Sequence, residues 1–257
     1  MDRALLKQQT KQVLRRTVGE PFVGKRSKLR RFERVLPGLD LHPADVLDVG
    51  SEDATFIYWL ADRWPEATVT AVDIDAAAID ACLRARPAAY ADRVDFRVAA
   101  LADLPAESYD VVTAFDVLEH ITDDADAVRD VYRALRPGGR FLVHVPRDVW
   151  IDAHGHEERV PDEEAWRINA GHVRMGYSPD GLTRLLRDAG FDTDPPLVWL
   201  QRWSVRAFWL YFKIEPLVPL RLLTIPFTDL AARLDERLPQ EEGNTVYDVG
   251  TKPVNPA

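Results

Sequence analysis

The chain is expected to fold as an α/β protein with a mostly parallel sheet covered by helices on both faces. Two observations carry that expectation. Short apolar runs alternate with helix-length segments over residues 46–146, and strands separated by helices of this length build parallel sheets buried on both sides. The first run, Val46 to Val49, contains Asp48 and leads through Gly50 into a helix; the second, Thr68 to Val72, ends in Asp73, 25 positions after Asp48.

Taken in order, residues 3–18 set Leu5, Leu6, Val13 and Leu14 among basic residues, the pattern of an amphipathic helix, which Gly19, Pro21 and Gly24 interrupt. A helix over Ser27–Leu36 then leads through Pro37-Gly38 to the first strand. Helices are expected at Thr55–Trp64, Ala76–Arg86 and Asp123–Leu135, and further strands at Val94–Ala99, Tyr109–Phe115 and 137–146. Beyond Pro146 lies a long polar segment, Arg147–Tyr177, that holds His154, His156, Trp166 and His172. Ser178 is a good N-cap with Pro179 in the first turn, and Gly190 marks the stop of that helix. Residues 201–240 form an apolar insertion before a last strand near 245–252. The linear division is a basic helical arm, residues 1–36, and one domain, residues 37–257, with cap segments at 147–177 and 201–240.

A chain of 257 residues can fill one large α/β domain, or one domain with an appendage. The single cysteine, Cys82, allows no internal disulfide, and a cytoplasmic, reducing location is expected. The N-terminus is charged and has no apolar run of the kind a signal peptide needs. The stretch 205–227 is broken by Arg206, Lys213, Glu215 and Arg221 and by three prolines, so no membrane-spanning helix is expected. The net charge of −9 is uneven: residues 1–34 carry eleven Lys or Arg against three acids, a balance of +8 that leaves −17 for the rest. An acidic body repels phosphates and argues against nucleic acid as a partner. The basic arm can touch anionic lipid, a phosphorylated substrate or the acidic body itself, or be a solvated helix.

A strand, a tight turn, a helix and a second strand tipped by a carboxylate is how an α/β sheet builds a nucleoside site, the carboxylate accepting from ribose hydroxyls. A dinucleotide fingerprint would need three glycines, and this turn has Gly50 alone, so an NAD-dependent oxidoreductase fits poorly. In order and spacing, Val-Leu-Asp-Val-Gly-Ser at 46–51, Asp73, the run Asp-Val-Leu-Glu-His-Ile at 116–121 and Pro-Gly-Gly-Arg-Phe-Leu-Val-His-Val-Pro at 137–146 resemble class I S-adenosylmethionine-dependent methyltransferases. The likeness is to the small-molecule branch that includes quinone and glycan-associated O-methyltransferases, and it covers roughly residues 28–195. Gly-His-Val-Arg-Met-Gly-Tyr-Ser-Pro-Asp-Gly-Leu at 171–182 resembles the substrate-side loop of the same branch.

The resemblance implies a three-layer α/β sandwich with a mostly parallel seven-stranded, Rossmann-like sheet, and methyl transfer from S-adenosylmethionine to a small-molecule acceptor at a hydroxyl oxygen. The alternative is a degenerate member that serves as a binding or scaffold module. The implied cofactor residues are Asp48, Gly50, Ser51, Asp73, Ile74, Leu101 and Asp116. Glu52 and Ala54 stand where the family usually has glycine, and Ala100 where it often has an acid, so adenine recognition would rest on Leu101. Asp48 can equally be a structural cap, and Asp73 a cap of the helix that starts near Asp75. Asp116, Glu119 and His120 either form a cofactor-side loop with a capping histidine or, as in some quinone-type members, hold a divalent cation. His154 and His156 have too few companions for zinc. His172 is the expected general base, against a loop-ordering role.

The insertion places Trp203, Phe208, Trp209, Tyr211 and Phe212 within ten residues, followed by Leu217, Leu220, Leu222 and Leu223. That is more apolar surface than one helix leaves exposed, so it covers the acceptor pocket, pairs with another copy in a homodimer, or rests on a membrane. The prolines and the acidic body favour the first two; the basic arm favours peripheral membrane contact.

Overall fold

The computed structural model describes residues 20, 22–39, 41–51, 54–152, 154, 156–158, 164, 171–214, 223–238 and 242–254. The expected helix over 3–18, Glu52 and Trp166 lie outside them. In chain order the elements are α1 (Val23–Val35), β1 (Asp45–Val49), α2 (Thr55–Arg63), β2 (Thr68–Asp73), α3 (Ala76–Ala85), β3 (Val94–Val98), β4 (Tyr109–Phe115), α4 (Asp124–Ala134), β5 (Leu135–Pro146), β6 (Trp150–Ile151), β7 (Glu157–Glu158), α5 (Pro179–Asp188), β8 (Asp192–Thr193), β9 (Leu197–Trp199), α6 (Arg202–Lys213), α7 (Ile225–Asp235) and β10 (Thr245–Thr251). Contacts divide the chain into two units: a sheet unit of residues 42–148, 162–196 and 246–257, and a helical unit of residues 1–41, 149–161 and 197–245.

In the sheet unit seven strands run in the order β3-β2-β1-β4-β5-β10-β8. β1 pairs parallel with β2 on one side and with β4 on the other, and β2–β3 and β4–β5 are parallel as well; β8 runs antiparallel to β10. Consecutive residues Val46–Val49 and Val111–Phe115 are buried, which a strand covered on both faces requires. This is the three-layer α/β arrangement expected. α4 turns Ala127, Val128, Val131 and Ala134 inward, and Leu47, Val112, Phe141, Val143, Leu182, Leu186, Phe191 and Val246 join them in one core. At the amino ends of the strands Arg136 bridges Asp110 and Asp45, both at 2.8 Å, while Asp110 accepts the N–H groups of Ala44 and Asp45. Ser178 caps α5 as expected, its hydroxyl accepting from Gly181 N at 3.1 Å.

The helical unit joins α1 to the distant insertion. The first helix starts at Val23, earlier than Ser27, because Val23 packs with Ala207, Tyr211 and Ala231 in a small core that Phe22 also touches. Arg26 binds Asp229 through two 2.7 Å contacts, and Phe32 meets Trp199 edge-on at 4.7 Å. Asp235 caps α6, its carboxylate accepting from Trp203 N at 2.9 Å and Ser204 N at 3.0 Å. Asn244 binds both backbone groups of Ile151.

Two glycines differ sharply in what surrounds them. A Cβ on Gly176 would lie 2.3 Å from the Pro146 carbonyl oxygen, whereas one on Gly38 meets nothing within 4 Å. Gly176→Ala is expected to lower stability by about 2 kcal/mol or more in urea unfolding, with Gly38→Ala within about 0.5 kcal/mol of the parent; equal effects would contradict the packing around residues 146–147.

Candidate functional site

The sheet order reverses between β1 and β4, and in such sheets the carboxyl ends of the strands on either side of that reversal form a crevice. Gly50 makes the turn after β1 with φ +85°, donates its N–H to the Val72 carbonyl at 2.9 Å, and leaves no room for a Cβ, which would stand 2.5 Å from Val117 Cγ2. Ser51, next in the turn, is buried and donates its N–H to Asp73 Oδ2 at 3.1 Å and its hydroxyl to the same oxygen at 3.4 Å. Asp73 Oδ1 accepts the Asp75 N–H at 2.9 Å. The cap of α3 is Asp75 itself, through Ala77 N at 2.8 Å. Asp73 is thus oriented by neighbours, and its two oxygens have about four lone-pair sites, so acceptor capacity remains for a ligand.

Beside this carboxylate the protein leaves aliphatic side chains in solvent. Ile74, next in sequence, is 80% exposed, and Val98, which pairs with Asp73 across β2 and β3, is 54% exposed. Leu101 is half-buried at the start of a short 3-10 turn, Leu101–Asp103, whose backbone carbonyls at Leu101 and Ala102 are taken by Arg133. A fixed acceptor flanked by uncovered aliphatic groups fits a ribose joined to a flat apolar base. Ala54 adopts a left-handed backbone, φ 58°. A glycine there would be relieved of roughly 1–2 kcal/mol of strain as well as a methyl group.

Asp48 lies within β1, buried, and its carboxylate accepts from the hydroxyl of Thr113 on β4. Burial pushes its pKa up to about 7, against the pull of the Thr113 hydrogen bond and with a smaller push from the Asp73 charge. Asp116, just past β4, has φ 58°; its N–H donates to the His144 carbonyl at 2.8 Å, and its Oδ1 meets Nδ1 of the fully buried His144 at 2.9 Å.

Asp116, Glu119 and His120 are not stacked on an α-helix, because Asp116 is left-handed and Leu118–His120 is a 3-10 turn. Asp116 turns to His144, and the side chain brought to Glu119 and His120 is His172: one ligand-type atom from each of the three lies within 4.8 Å of the others. The His120 and His172 rings meet at right angles, 4.6 Å between centroids, and His120 Nδ1 is 2.9 Å from the Gly171 carbonyl. Burial, and then the neighbouring His120, hold the His172 pKa below the ordinary histidine value, although Asp116 pulls the other way.

Residues 171–177 are laced onto the turn after β4. Val173 N donates to the Glu119 carbonyl at 2.9 Å, and Arg174 donates to the carbonyls of Leu118, Ile121 and Thr122 at 2.8–2.9 Å and pairs with Asp124 at 3.0 Å. The Tyr177 hydroxyl donates to Asp124 at 2.7 Å, and burial with that carboxylate pushes its pKa upward. Thr113, His144, Arg174 and Tyr177 were not among the sequence-derived candidates; a histidine inside the apolar run of β5 was the available signal for His144. His154 and His156 fall in the helical unit, where both backbone N–H groups go to Asp152.

The family described as methyltransferase domain matches residues 23–195, two thirds of the chain. The "probable S-adenosylmethionine-dependent methyltransferase" of Mycolicibacterium smegmatis is 36% identical over 155 residues, 60% of this chain and 54% of that one. The ubiquinone biosynthesis O-methyltransferase of Xanthomonas oryzae pv. oryzae is 35% identical over 116 residues, 44% of this chain and 47% of that one. The chain spans about half the length of these curated relatives. The structure of Haemonchus contortus phosphoethanolamine N-methyltransferase 2, bound to phosphomonomethylethanolamine and S-adenosylhomocysteine, superposes with TM-score 0.63 at 16% identity, covering 93% of this chain and 59% of that one. Family match, sheet order and the Gly50–Asp73 turn agree, and the chain belongs to the class I S-adenosylmethionine-dependent methyltransferases.

Proposed function

We propose that the protein transfers a methyl group from S-adenosylmethionine to a hydroxyl oxygen of a small-molecule acceptor. The observation that carries the cofactor half is Asp73, fixed by Ser51 and Asp75 beside the exposed Ile74 and Val98. Asp73 would hold the ribose hydroxyls, Ile74, Val98 and Leu101 the base, and Gly50, Ser51, Asp48 and Asp116 the remainder. When bound, S-adenosylmethionine supplies an already activated methyl group, so the protein's own task is to position the acceptor and remove one proton.

His172 is the residue for that proton. Its depressed pKa leaves the imidazole neutral near neutral pH, able to accept a proton from a hydroxyl, and the clamp through Val173 and Arg174 fixes the loop that presents it. The relative named as an O-methyltransferase of ubiquinone biosynthesis supports oxygen as the acceptor atom. One observation favours a second reading: the convergence of Glu119, His120 and His172 suits a divalent cation that would bind and acidify the acceptor hydroxyl.

Transfer of labelled methyl groups to a panel of quinols and other hydroxylated small molecules tests the activity; S-adenosylhomocysteine binding without turnover on any acceptor would instead assign a binding module. Asp73→Ala is expected to weaken S-adenosylhomocysteine binding more than tenfold, since hydrogen bonds to a charged acceptor are worth about 1.5–3 kcal/mol; unchanged calorimetric affinity would remove Asp73 from the site.

Asp48 gives a pH prediction. Its folded pKa of about 7 lies above the ordinary 3.8, so between those values the folded state keeps a proton the unfolded chain has lost, and stability falls as pH rises through that window. Asp48→Asn should remove the decline, worth up to roughly 4 kcal/mol, leaving the variant more stable than the parent above pH 7. A parent and variant with the same pH dependence would contradict the buried carboxyl.

For His172, His172→Gln should abolish turnover with cofactor affinity kept, and the acid limb of the parent's rate profile should fall below the ordinary histidine value. Activity lost on exhaustive chelation and restored by magnesium would replace the base by the cation.

A further inference from the structure

The helix α7 is inside out. Its buried positions, Thr228, Ala231 and Asp235, are mostly polar, as is Thr224 just before it. Leu223, Phe227 and Leu230, on the opposite face with Pro226, are 62%, 57% and 53% exposed. The spacing 223, 226, 227, 230 is i, i+3, i+4, i+7, a continuous apolar stripe in solvent. Ion pairs hold the polar side inward: Asp229 to Arg26 and Arg30, and Glu236 to Arg34.

α6, which packs on α7, repeats the pattern at the same spacing. Arg206, Trp209, Leu210 and Lys213 line one exposed face, with Phe212 beside them. The two bases bracket a tryptophan and a leucine, and the Arg206 guanidinium lies over the Trp203 ring at 4.6 Å. Among the exposed positions of the two helices the charged residues are Arg206, Lys213 and Arg233, all basic.

Residues of the helical unit sum to +5, an excess carried by residues 1–41, and those of the sheet unit to −14, together the −9 of the chain. An apolar stripe bordered by bases, with tryptophan at its margin, is the composition of a surface that enters the headgroup layer of an anionic bilayer. A twofold contact between copies is disfavoured, because it would set this all-basic patch against itself. Pro226 does not stand in the way, since it is in the first turn of α7, where proline is tolerated.

We propose that the exposed faces of α6 and α7 form a docking surface for anionic lipid, making the protein a peripheral membrane binder. This reading stands apart from the methyl-transfer site and does not depend on it.

The test is flotation of the full chain with phosphatidylcholine vesicles made with or without phosphatidylglycerol, at low and moderate salt. The double variants Trp209→Ser with Phe227→Ser, and Arg206→Gln with Lys213→Gln, alter exposed side chains, and circular dichroism confirms that each keeps the parent fold. Co-flotation is expected with the anionic vesicles, weaker as salt rises, and reduced about tenfold or more by the apolar pair. The basic pair should lose most of the preference for anionic over neutral vesicles. Absence of co-flotation, or partitioning equal in parent and both variants, would overturn the proposal. So would sedimentation showing a dimer that the Trp209→Ser, Phe227→Ser variant breaks while vesicle binding is unaffected; the face would then join two copies of the chain.

Discussion

The reversal of strand order at β1 is the constraint on which the rest of the site depends. With β2 and β4 both parallel to β1, Asp48, Asp73 and Asp116 are delivered toward one crevice, and each carboxylate must be dealt with locally. Thr113 meets Asp48, Ser51 and Asp75 meet Asp73, and His144 meets Asp116. The cost remains visible in Asp48, whose burial raises its pKa to about 7. A sheet built for stability alone would place valine there. A carboxyl kept in the central strand against its own desolvation is the kind of local conflict that marks functional positions.

The proposed acceptor side is assembled differently. Residues 171–177 are held to the turn after β4 by Arg174, Tyr177 and the Val173 amide, so that His172 reaches His120 and Glu119 without belonging to any strand of the sheet. Loops carried on a rigid scaffold are where acceptor choice is normally set. On α7 the burial pattern is reversed, with Thr228 and Asp235 inside and Phe227 and Leu230 outside, and on α6 Trp209 and Leu210 stand exposed. The paired arginines of α1 explain how the polar side is satisfied; a lipid surface would explain why the apolar side is left open.

Much of the sheet was legible because parallel strands read as continuous apolar runs: Val46–Val49, Thr68–Val72 and Tyr109–Phe115 fall on strands within a residue or so. The Ser178 cap was legible for the same local reason. Side-chain convergence was not. Asp116, Glu119 and His120 have helical spacing in sequence, and only the left-handed backbone at Asp116 redirects the first of them to His144 while His172 arrives from 52 residues beyond His120. The pairing of Val23 with Ala207 and Ala231, and of Arg26 with Asp229, leaves no local pattern at all, since each contact spans most of the chain.

The central claim is that the crevice beside Asp73 is a site for S-adenosylmethionine. Isothermal titration of S-adenosylhomocysteine into the full chain, run beside an identical titration of NAD, tests it most directly. The account predicts saturable one-to-one binding of S-adenosylhomocysteine and no heat from NAD; saturable NAD binding, or none from S-adenosylhomocysteine, would contradict it.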